Sequence, residues 1–389
     1  MTRAANIVII GGGIIGCLTA WFLREAGHEG PITVVERDSS YKFASTALSA
    51  ASIRLQFACP VNVELSLFGL SFLRAVRERL DADANIGLVE RGYLILAGDK
   101  TLERRREALA MQRALGAEVV ELDRDALRAR YEWLSLDGVT MATIGNNDEG
   151  WFDAWSLLQA ARRAALRRGV TIVESEAVGL STRGDRVTGV ALADGRRIPA
   201  DWCVNAAGAL SGRVSEFLDI PIPVVPRKRT VFHFKAPLDA RSMPMLIDLT
   251  GAWLRPEGEG FIGGIQPEEA ADPNAHDDFE PDHALFEERL WPVLAERVPA
   301  LEQVRLLNAW AGHYEMNLFD QNGIIGPHPK IANFVFATGF SGHGLQHAPG
   351  TARAVAEQIV SGAYRTIDVT PLAFERIAEA RPMVESAIY

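Results

Sequence analysis

The chain has 389 residues, too many for one ordinary hydrophobic core, so we expect two lobes. Hydrophobic residues make up 48% and charged residues 23% of the chain, which is typical of a soluble globular protein. The formal net charge of −10 argues against nucleic-acid binding, which requires a clustered basic face. It does not exclude anionic small molecules as ligands, because one buried arginine binds a carboxylate whatever the net charge.

Three cysteines and the apolar N-terminus bear on the compartment. No two cysteines form a CxxC pair, which argues against a disulfide framework or a structural metal site and predicts a cytoplasmic protein without bound metal. The apolar run over residues 7–23 also resembles a signal peptide, with a lipoprotein-like box at residues 14–17. We favour the cytoplasm because the same residues fit a nucleotide-binding unit better. No other segment approaches the ~20 apolar residues of a membrane helix.

A βαβ unit is predicted at the start of the chain. Residues 6–10 form a continuous apolar run that ends in glycine, as in a buried parallel strand. Residues 14–26 have the pattern of a helix, which Gly27 ends. Residues 32–36 are predicted to form the next strand.

The remaining elements alternate along the chain. Further helices are predicted over residues 65–80, 101–115, 153–169, 283–297 and 350–361. Further strands are predicted over residues 92–97, 170–175, 186–192, 201–206, 231–234, 245–248, 252–255, 260–264 and 333–337. The strands between residues 231 and 264 favour a largely antiparallel sheet, and acidic residues 271–283 favour a loop.

A nucleotide fingerprint follows the first strand. Residues 11–16, Gly-Gly-Gly-Ile-Ile-Gly, fit G-x-G-x-x-G between a strand and a helix. Gly11 allows the tight turn, Gly13 lets the backbone approach a pyrophosphate at the helix N-terminus, and Gly16 allows close packing of the helix on the sheet. Glu36 ends the second strand, where a carboxylate accepts hydrogen bonds from a ribose. This pattern predicts a dinucleotide and leaves FAD and NAD open.

Two further glycine-bearing turns follow apolar strands. Residues 204–208, Val-Asn-Ala-Ala-Gly, end a strand in small side chains that would leave room for a cofactor against the sheet. Residues 339–346, Gly-Phe-Ser-Gly-His-Gly-Leu-Gln, lie between a strand and a helix and form a second potential anion site. A helix N-terminus at this position would stabilise negative charge that develops on a reduced flavin.

Together these motifs resemble those of the DAO family, the D-amino acid oxidase, glycine oxidase and sarcosine oxidase flavoproteins. The resemblance extends over nearly the whole chain, and its anchors are residues 11–16, 36–37, 44–46, 204–208, 226–229, 310–312 and 339–346. Residues 51–67 and 310–316 are similar to the FAD-dependent oxidoreductase-domain branch of the family. Residues 243–256 are similar to D-amino acid dehydrogenases.

The resemblance implies an α/β plus α+β architecture. A Rossmann-type FAD-binding lobe with a glutathione-reductase-like fold would be interleaved with an antiparallel-sheet substrate lobe. We expect the FAD-binding lobe to comprise residues 1–80, 146–218 and 317–389. The substrate-binding lobe would comprise residues 81–145 and 219–316.

The resemblance also implies that the dinucleotide is FAD and that it is held without a covalent bond. Leu48 and Gly312 stand where some relatives carry the histidine or cysteine that attaches the flavin. Ser45 and Thr46 are expected near the pyrophosphate, and Val178 near the adenine. The full expected FAD-binding set is Gly11, Gly13, Ile14, Ile15, Gly16, Glu36, Arg37, Ser45, Thr46, Ser49, Ala50, Val178, Ala206, Ala207, Gly208, Gly339, Gly342, His343, Gly344, Leu345 and Gln346.

For the substrate, the resemblance implies hydride transfer from the α-carbon to flavin N5, which gives an imine that hydrolyses. Arg54 stands where relatives of sarcosine oxidase place an arginine that binds the substrate carboxylate. A structural salt bridge is the alternative role for this residue. Gln346 stands where some relatives carry a lysine.

Several positions depart from the family pattern. Tyr314 replaces an arginine of many glycine-oxidase-like members, and Glu315 is a candidate for binding a substrate ammonium or for an internal pair. His343 is expected to position the site and not to act as a base. Ile262 aligns with the lysine that helps oxygen react in monomeric sarcosine oxidase, which favours a dehydrogenase over an oxidase.

We therefore predict an FAD-dependent dehydrogenase of a small amine or amino acid. Its electron acceptor would be oxygen, a quinone or an electron-transfer protein. The sequence is compatible with a monomer or an oligomer. One alternative is a 2-hydroxy acid dehydrogenase, for which the same arginine would serve. A second is a non-catalytic FAD-binding assembly factor or partner subunit. For acidic residues 272–280 we favour a solvated excursion over a cover of the site.

Overall fold

The computed structural model of the protein describes residues 4–387, apart from the side chain of residue 240. The β-strands in this part of the chain are β1 Ile7–Ile10, β2 Ile32–Glu36, β3 Ser52–Ile53, β4 Tyr93–Ala97, β5 Val119–Asp123, β6 Met141–Gly145, β7 Gly150–Trp151, β8 Thr171–Glu174, β9 Ala177–Arg183, β10 Arg186–Leu192, β11 Arg197–Pro199, β12 Trp202–Asn205, β13 Val224–Lys235, β14 Met245–Ile247, β15 Trp253–Glu257, β16 Gly260–Gly264, β17 Arg305–Asn317, β18 Ile324–Pro327 and β19 Phe334–Thr338.

The α-helices are α1 Ile14–Glu25, α2 Pro60–Arg74, α3 Val76–Arg79, α4 Leu102–Ala114, α5 Arg124–Arg130, α6 Ala154–Arg167, α7 Ser211–Glu216, α8 His283–Leu285, α9 Trp291–Arg297, α10 Gly344–Ser361 and α11 Glu375–Ala378. A π-helical segment, Phe286–Leu290, joins α8 to α9. Among the described residues, no helix is long and apolar enough to cross a membrane.

A six-stranded sheet forms the first layer, in the order β18-β19-β12-β1-β2-β8. Its strands pair in parallel except β18, which is antiparallel to β19. Side chains of β1 alternate between two cores: Ile7 and Ile9 face one cluster, and Val8 and Ile10 face the other. Because both faces are covered, the strand is apolar throughout, as a buried parallel strand must be. Helices α1, α6, α10 and α2 pack together on one side.

An eight-stranded sheet forms the second layer, in the order β17-β13-β16-β15-β14-β4-β6-β5. All of its pairs are antiparallel except β14 with β4. The π-helical segment and α9 cover it with Phe286, Leu290 and Leu294, which are buried against Phe232 and Phe234 of β13. The predicted fold class, α/β plus α+β with a parallel and an antiparallel sheet, is confirmed.

Two smaller sheets complete the fold. Strands β9, β10 and β11 form an antiparallel meander, and β3 pairs with β7. All strands of the six-stranded sheet fall in the segments assigned to the FAD-binding lobe. Strands of the eight-stranded sheet fall in the substrate-lobe segments, and β17 extends one residue beyond them. The lobe boundaries themselves stay a prediction.

Two predicted helix starts were wrong, both because of proline. Helix α2 begins at Pro60 and not at residue 65, since proline is well suited to the first helical position. Helix α10 begins at Gly344 and not at residue 350, and Pro349 lies within it. In its second turn this proline removes one backbone hydrogen bond without ending the helix. Helix α10 therefore starts directly at the glycine-rich turn, which places its free N–H groups there.

Candidate active site

One large cavity lies where the two sheets meet. The predicted site residues that line it are Gly11, Gly13, Ile14, Ile15, Glu36, Arg37, Ser45, Thr46, Ser49, Ala50, Arg54, Ala206, Ala207, Gly208, Tyr314, Glu315, Gly342, His343, Gly344, Leu345 and Gln346. Gly16 and Gly339 are buried, and Val178 on β9 is 48% exposed; these three residues are outside the cavity lining. The structure thus brings together all but three residues of the predicted set.

The first glycine-rich turn allows three backbone segments to meet closely. Gly11 has a φ of +104° and donates its N–H to the Val35 carbonyl at 2.9 Å. A Cβ on Gly11 would collide with the carbonyl oxygen of Ala206, and one on Gly16 would collide with the carbonyl of Gly11. Gly13 immediately precedes α1, so free N–H groups of the first helical turn face the cavity. This arrangement suits a pyrophosphate.

Glu36 reinforces this turn from the end of β2. Its carboxylate accepts the N–H of Gly12 at 2.7 Å and the N–H of Asp38 at 3.0 Å. Burial raises the pKa of Glu36, and these two backbone hydrogen bonds act in the opposite direction. The carboxylate lines the cavity in a fixed orientation, with lone pairs available for a ribose hydroxyl.

The segment that contains Ser45 and Thr46 closes over the turn. The Thr46 hydroxyl accepts the N–H of Ile14 at 3.3 Å, and the Ser45 hydroxyl donates to the His313 carbonyl at 2.7 Å. Both residues line the cavity. The segment therefore bridges the nucleotide turn and strand β17.

Leu48 and Gly312, which the predicted boundaries assign to different lobes, lie against each other. A Cβ on Gly312 would lie 2.9 Å from the Leu48 Cβ, and both residues line the cavity. Neither residue has a nucleophilic atom with which to bond a flavin ring. The expectation of non-covalent FAD stays a prediction, and this contact supports it.

Glu315 holds the second glycine-rich turn. Its carboxylate accepts the Thr338 hydroxyl at 2.8 Å and the Gly339 N–H at 2.9 Å, and its carbonyl accepts the Ser341 N–H at 3.1 Å. Burial raises the pKa of this carboxyl to about 7. Of the two alternatives that the sequence left, the structure shows the internal pairing.

Tyr314 lies against the same turn. A Cβ on Gly342, which has a φ of +98°, would collide with the Tyr314 ring. Burial raises the pKa of the Tyr314 phenol, whereas the guanidinium groups of Arg229 and Arg54 lower it. The phenol therefore lies within electrostatic reach of both arginines.

His343 has the least satisfied polar atoms of the site. Its ring is buried and packs edge-on against Phe57 at 5.4 Å and His347 at 4.8 Å. Within residues 4–387, neither ring nitrogen has a hydrogen-bond partner. Burial, His347 and Arg54 lower the pKa of His343 well below its usual value, so the ring is neutral at physiological pH. A buried ring of this kind at a cavity wall fits a polar ligand such as a flavin edge.

Arg54 is buried, and backbone carbonyls orient it. Its Nη1 donates to the Gln56 carbonyl at 3.1 Å, and its Nη2 donates to the Ala387 carbonyl. The guanidinium lies 4.1 Å from the centre of the Phe57 ring. The Arg54 N–H donates to the Gln346 side-chain oxygen at 2.9 Å, so Gln346 fixes the backbone of the arginine beside the start of α10.

Sequence reasoning missed part of the substrate-side wall. Arg229 lines the cavity, although residues 226–229 served only as a family marker. His276 and Phe279 also line it, so the expected solvated excursion does not hold for these residues of the acidic loop. Phe279 stacks on the His313 ring with centroids 4.0 Å apart. Phe279, an aromatic residue inside an acidic stretch, was the sequence feature that could have indicated a buried part of this loop.

Glycine-rich turns before α1 and α10, an acid at the end of β2 and a second sheet beside the cavity are the arrangement of a dinucleotide-binding protein. Comparison with known families makes the class specific. The chain belongs to the DAO family, described as FAD dependent oxidoreductase, whose model matches residues 6–358. FAD is therefore its cofactor, and the residues that line the cavity fit it.

Individual proteins are similar over most of the chain. FAD-dependent oxidoreductase domain-containing protein 1 of Xenopus laevis is 38% identical to this chain in sequence. The alignment covers 99% of this chain and 85% of the Xenopus laevis protein. Glycine oxidase of Pseudomonas aeruginosa is 28% identical, covering 95% of this chain and 98% of its own. The crystal structure of L-proline dehydrogenase from P. horikoshii has a TM-score of 0.86 at 24% identity, covering 98% of this chain and all of that one. At that identity the structural likeness concerns the fold.

Proposed function

We propose that this FAD-dependent oxidoreductase is a dehydrogenase of a small amino acid or N-alkylated amino acid. The observation that supports this most is the buried Arg54, which lines the cavity next to the start of α10. A planar guanidinium in such a place matches a carboxylate with two parallel hydrogen bonds. Holding the carboxylate there fixes the neighbouring α-carbon and its amine relative to the cofactor.

The protein's contribution is binding, orientation and exclusion of water. Bound FAD supplies the hydride acceptor. Arg54 binds the substrate carboxylate, and the Tyr314 hydroxyl provides a further polar contact in the same wall. His343 stays neutral and therefore does not repel a substrate cation. Tyr93, Met245 and other apolar wall residues exclude water around the reacting carbon.

A dehydrogenase is preferred over an oxidase. The cavity wall within residues 4–387 includes no lysine. Ile262, which aligns with the oxygen-activating lysine of a relative, is buried in strand β16 outside that wall. An acceptor other than oxygen therefore fits this wall better.

The names of similar proteins point to the same substrate class. Glycine oxidase and L-proline dehydrogenase are named for amino acids, which carry a carboxylate beside the amine. A carboxylate anchor beside FAD is the feature that such substrates require.

The test is an anaerobic titration of the FAD-loaded protein with amino acids, N-methyl amino acids and 2-hydroxy acids. Loss of flavin absorbance near ~450 nm with an amino acid supports the proposal. Reduction by 2-hydroxy acids alone would replace it with a hydroxy acid dehydrogenase. A flavin that no compound reduces would favour a non-catalytic FAD-binding subunit.

A further inference from the structure

Arg229 lies in the cavity wall on the opposite lobe from Arg54. It stands on β13 directly opposite Gly312 of β17, which has no side chain. Only 9% of the Arg229 side chain is exposed. Its guanidinium lies 5.3 Å from the centre of the Tyr314 ring. Arg229 and Arg54 both lower the pKa of the Tyr314 phenol, so both guanidinium groups lie within electrostatic reach of it.

The acidic loop, defined as residues 269–282, supplies the anionic partner of Arg229. Asp272 accepts hydrogen bonds from both Nη1 and Nη2, at 2.8 and 3.0 Å. Nη1 also donates to the Lys228 carbonyl at 2.7 Å. The buried Nε of Arg229 has no hydrogen-bond partner among the described residues. Asp272 and the Lys228 carbonyl use three of the five N–H donors of the guanidinium, and the Nε N–H is available to a further acceptor.

Other contacts hold the acidic loop independently of Asp272. Lys228 pairs with Asp278 at 2.5 Å, and a His313 ring nitrogen contacts the Asp278 carbonyl at 2.7 Å. Phe279 stacks on the His313 ring, and Ala275 donates its N–H to the Pro226 carbonyl at 2.9 Å. Release of Asp272 alone would thus leave most of the loop's attachments intact.

We propose that Arg229 is a second anion-binding residue of the cavity, and that Asp272 occupies it until a substrate's second negatively charged group takes its place. This inference rests on the proposed function and specifies its substrate class: amino acids with a further carboxylate on the side chain or on the nitrogen. Arg54 binds the α-carboxylate, and Arg229 binds the second one.

Exchange of partners is the physically favoured route. A buried arginine that loses its anion without replacement is strongly disfavoured, so Arg229 does not release Asp272 into solvent unassisted. An incoming carboxylate offers the same planar geometry and restores the charge pair. A neutral substrate group offers no such replacement, so it leaves Asp272 in place. Selectivity between charged and neutral substrates follows from this difference.

The experiment compares two non-reacting acids on the FAD-loaded protein, acetate and glutarate. Binding is followed by the change in the flavin spectrum, and the ratio of the two dissociation constants is measured. The variants are R229Q and D272N, with K228Q as the matched control because it breaks the neighbouring loop ion pair outside the cavity wall. FAD content and thermal unfolding verify that each variant is folded.

We expect glutarate to bind wild type more tightly than acetate. R229Q should raise the dissociation constant of glutarate about tenfold or more, while the dissociation constant of acetate should change less than twofold. D272N should lower the dissociation constant of glutarate, because the residue that competes for Arg229 has lost its charge. K228Q should leave the ratio of the two dissociation constants unchanged. Hydrogen exchange should rise next to Asp272, and not at residues 275–279, when glutarate binds wild type.

Three results would overturn the inference: wild type that does not prefer glutarate, equal weakening of both acids by R229Q, or glutarate binding that D272N leaves unchanged or weaker. D272N decides alone if R229Q fails to fold. The titration needs no turnover, so its outcome is separate from that of the proposed function. A protein that prefers glutarate but is reduced by no amine would retain Arg229 as an anion site and lose the amine chemistry.

Discussion

The two walls of the cavity are built on different principles. The FAD-side wall consists of glycine-rich turns, backbone N–H groups and the ends of parallel strands, and each part follows from residues adjacent in sequence. The substrate-side wall consists of charged and aromatic side chains from β13, β17 and the acidic loop, which lie far apart in the chain. Close backbone packing means that the FAD-side wall does not tolerate added side-chain atoms. In the substrate-side wall, by contrast, an ion pair can exchange one partner for a ligand.

The largest expected effect is on the FAD-side wall. Gly11→Ala should abolish FAD binding, because the new Cβ collides with the Ala206 carbonyl and the φ of +104° disfavours any side chain. Gly27→Ala is the matched control, since Gly27 also has a positive φ but an added Cβ there meets nothing within 4 Å. FAD content after purification measures the difference. G11A protein that binds FAD as well as G27A would contradict the idea of an intolerant wall.

Arg54→Gln should produce the next largest effect. It should lower the anaerobic rate of flavin reduction by an amino acid, at a fixed subsaturating concentration, about 100-fold through loss of a charge-assisted carboxylate contact. The effect should be much smaller for an amine without a carboxylate, because that substrate has no group for Arg54 to bind. Arg213→Gln, at an exposed arginine on α7, is the control. A loss that is equal for both kinds of substrate would make Arg54 a structural residue.

Glu315→Gln tests the buried carboxyl between the walls. Its pKa is about 7 in the folded protein and near 4.5 in the unfolded chain. As pH rises from 4.5 to 7, the unfolded chain loses this proton before the folded protein does, so wild-type stability falls. Relative to E315Q, the free energy of unfolding of wild type should fall by about 2 to 3 kcal/mol over this range.

Urea unfolding at several pH values measures this difference. Glu103→Gln, on the surface of α4, is the control: its free energy of unfolding should differ from that of wild type by the same amount at every pH. A constant offset for E315Q as well would show that the carboxyl does not keep its proton on folding.

The smallest expected effect is on the acidic loop. Phe279→Ala removes the stack on His313 and the contact with Phe43, which should lower the free energy of unfolding by about 1 kcal/mol. Hydrogen exchange within residues 269–282 should rise, while FAD content stays at the wild-type level. Leu318→Ala, at an exposed apolar residue, is the control. Loss of FAD from F279A would mean that the two walls are not separable.

The same division explains what the sequence could predict. The turn at Gly11, the acid Glu36 and the turn before α10 are local patterns, and their chemistry is dictated by the backbone. The pairing of Arg229 with Asp272 joins residues 43 positions apart and depends on how the loop folds over β13. Neither partner has a local pattern that would reveal it.

Two further features illustrate the limit. Glu315 was ambiguous because both an ammonium and a loop amide suit a carboxylate, and only the position of Gly339 decides between them. The start of α10 was misplaced because Pro349 is an ordinary helix-stop signal, which tertiary packing overrides. Val178 shows the reverse case, a residue named from resemblance that lies on an exposed strand position outside the cavity lining.

Product stoichiometry after one anaerobic turnover tests the central claim most directly. The amino acid that reduces the flavin best is mixed with the FAD-loaded protein, and released ammonia or alkylamine is measured with the 2-oxo acid. The account predicts one equivalent of each per flavin reduced, because hydride removal beside the nitrogen gives an imine that hydrolyses. Flavin reduced without release of ammonia or amine, or a flavin that no amino acid reduces, would contradict it.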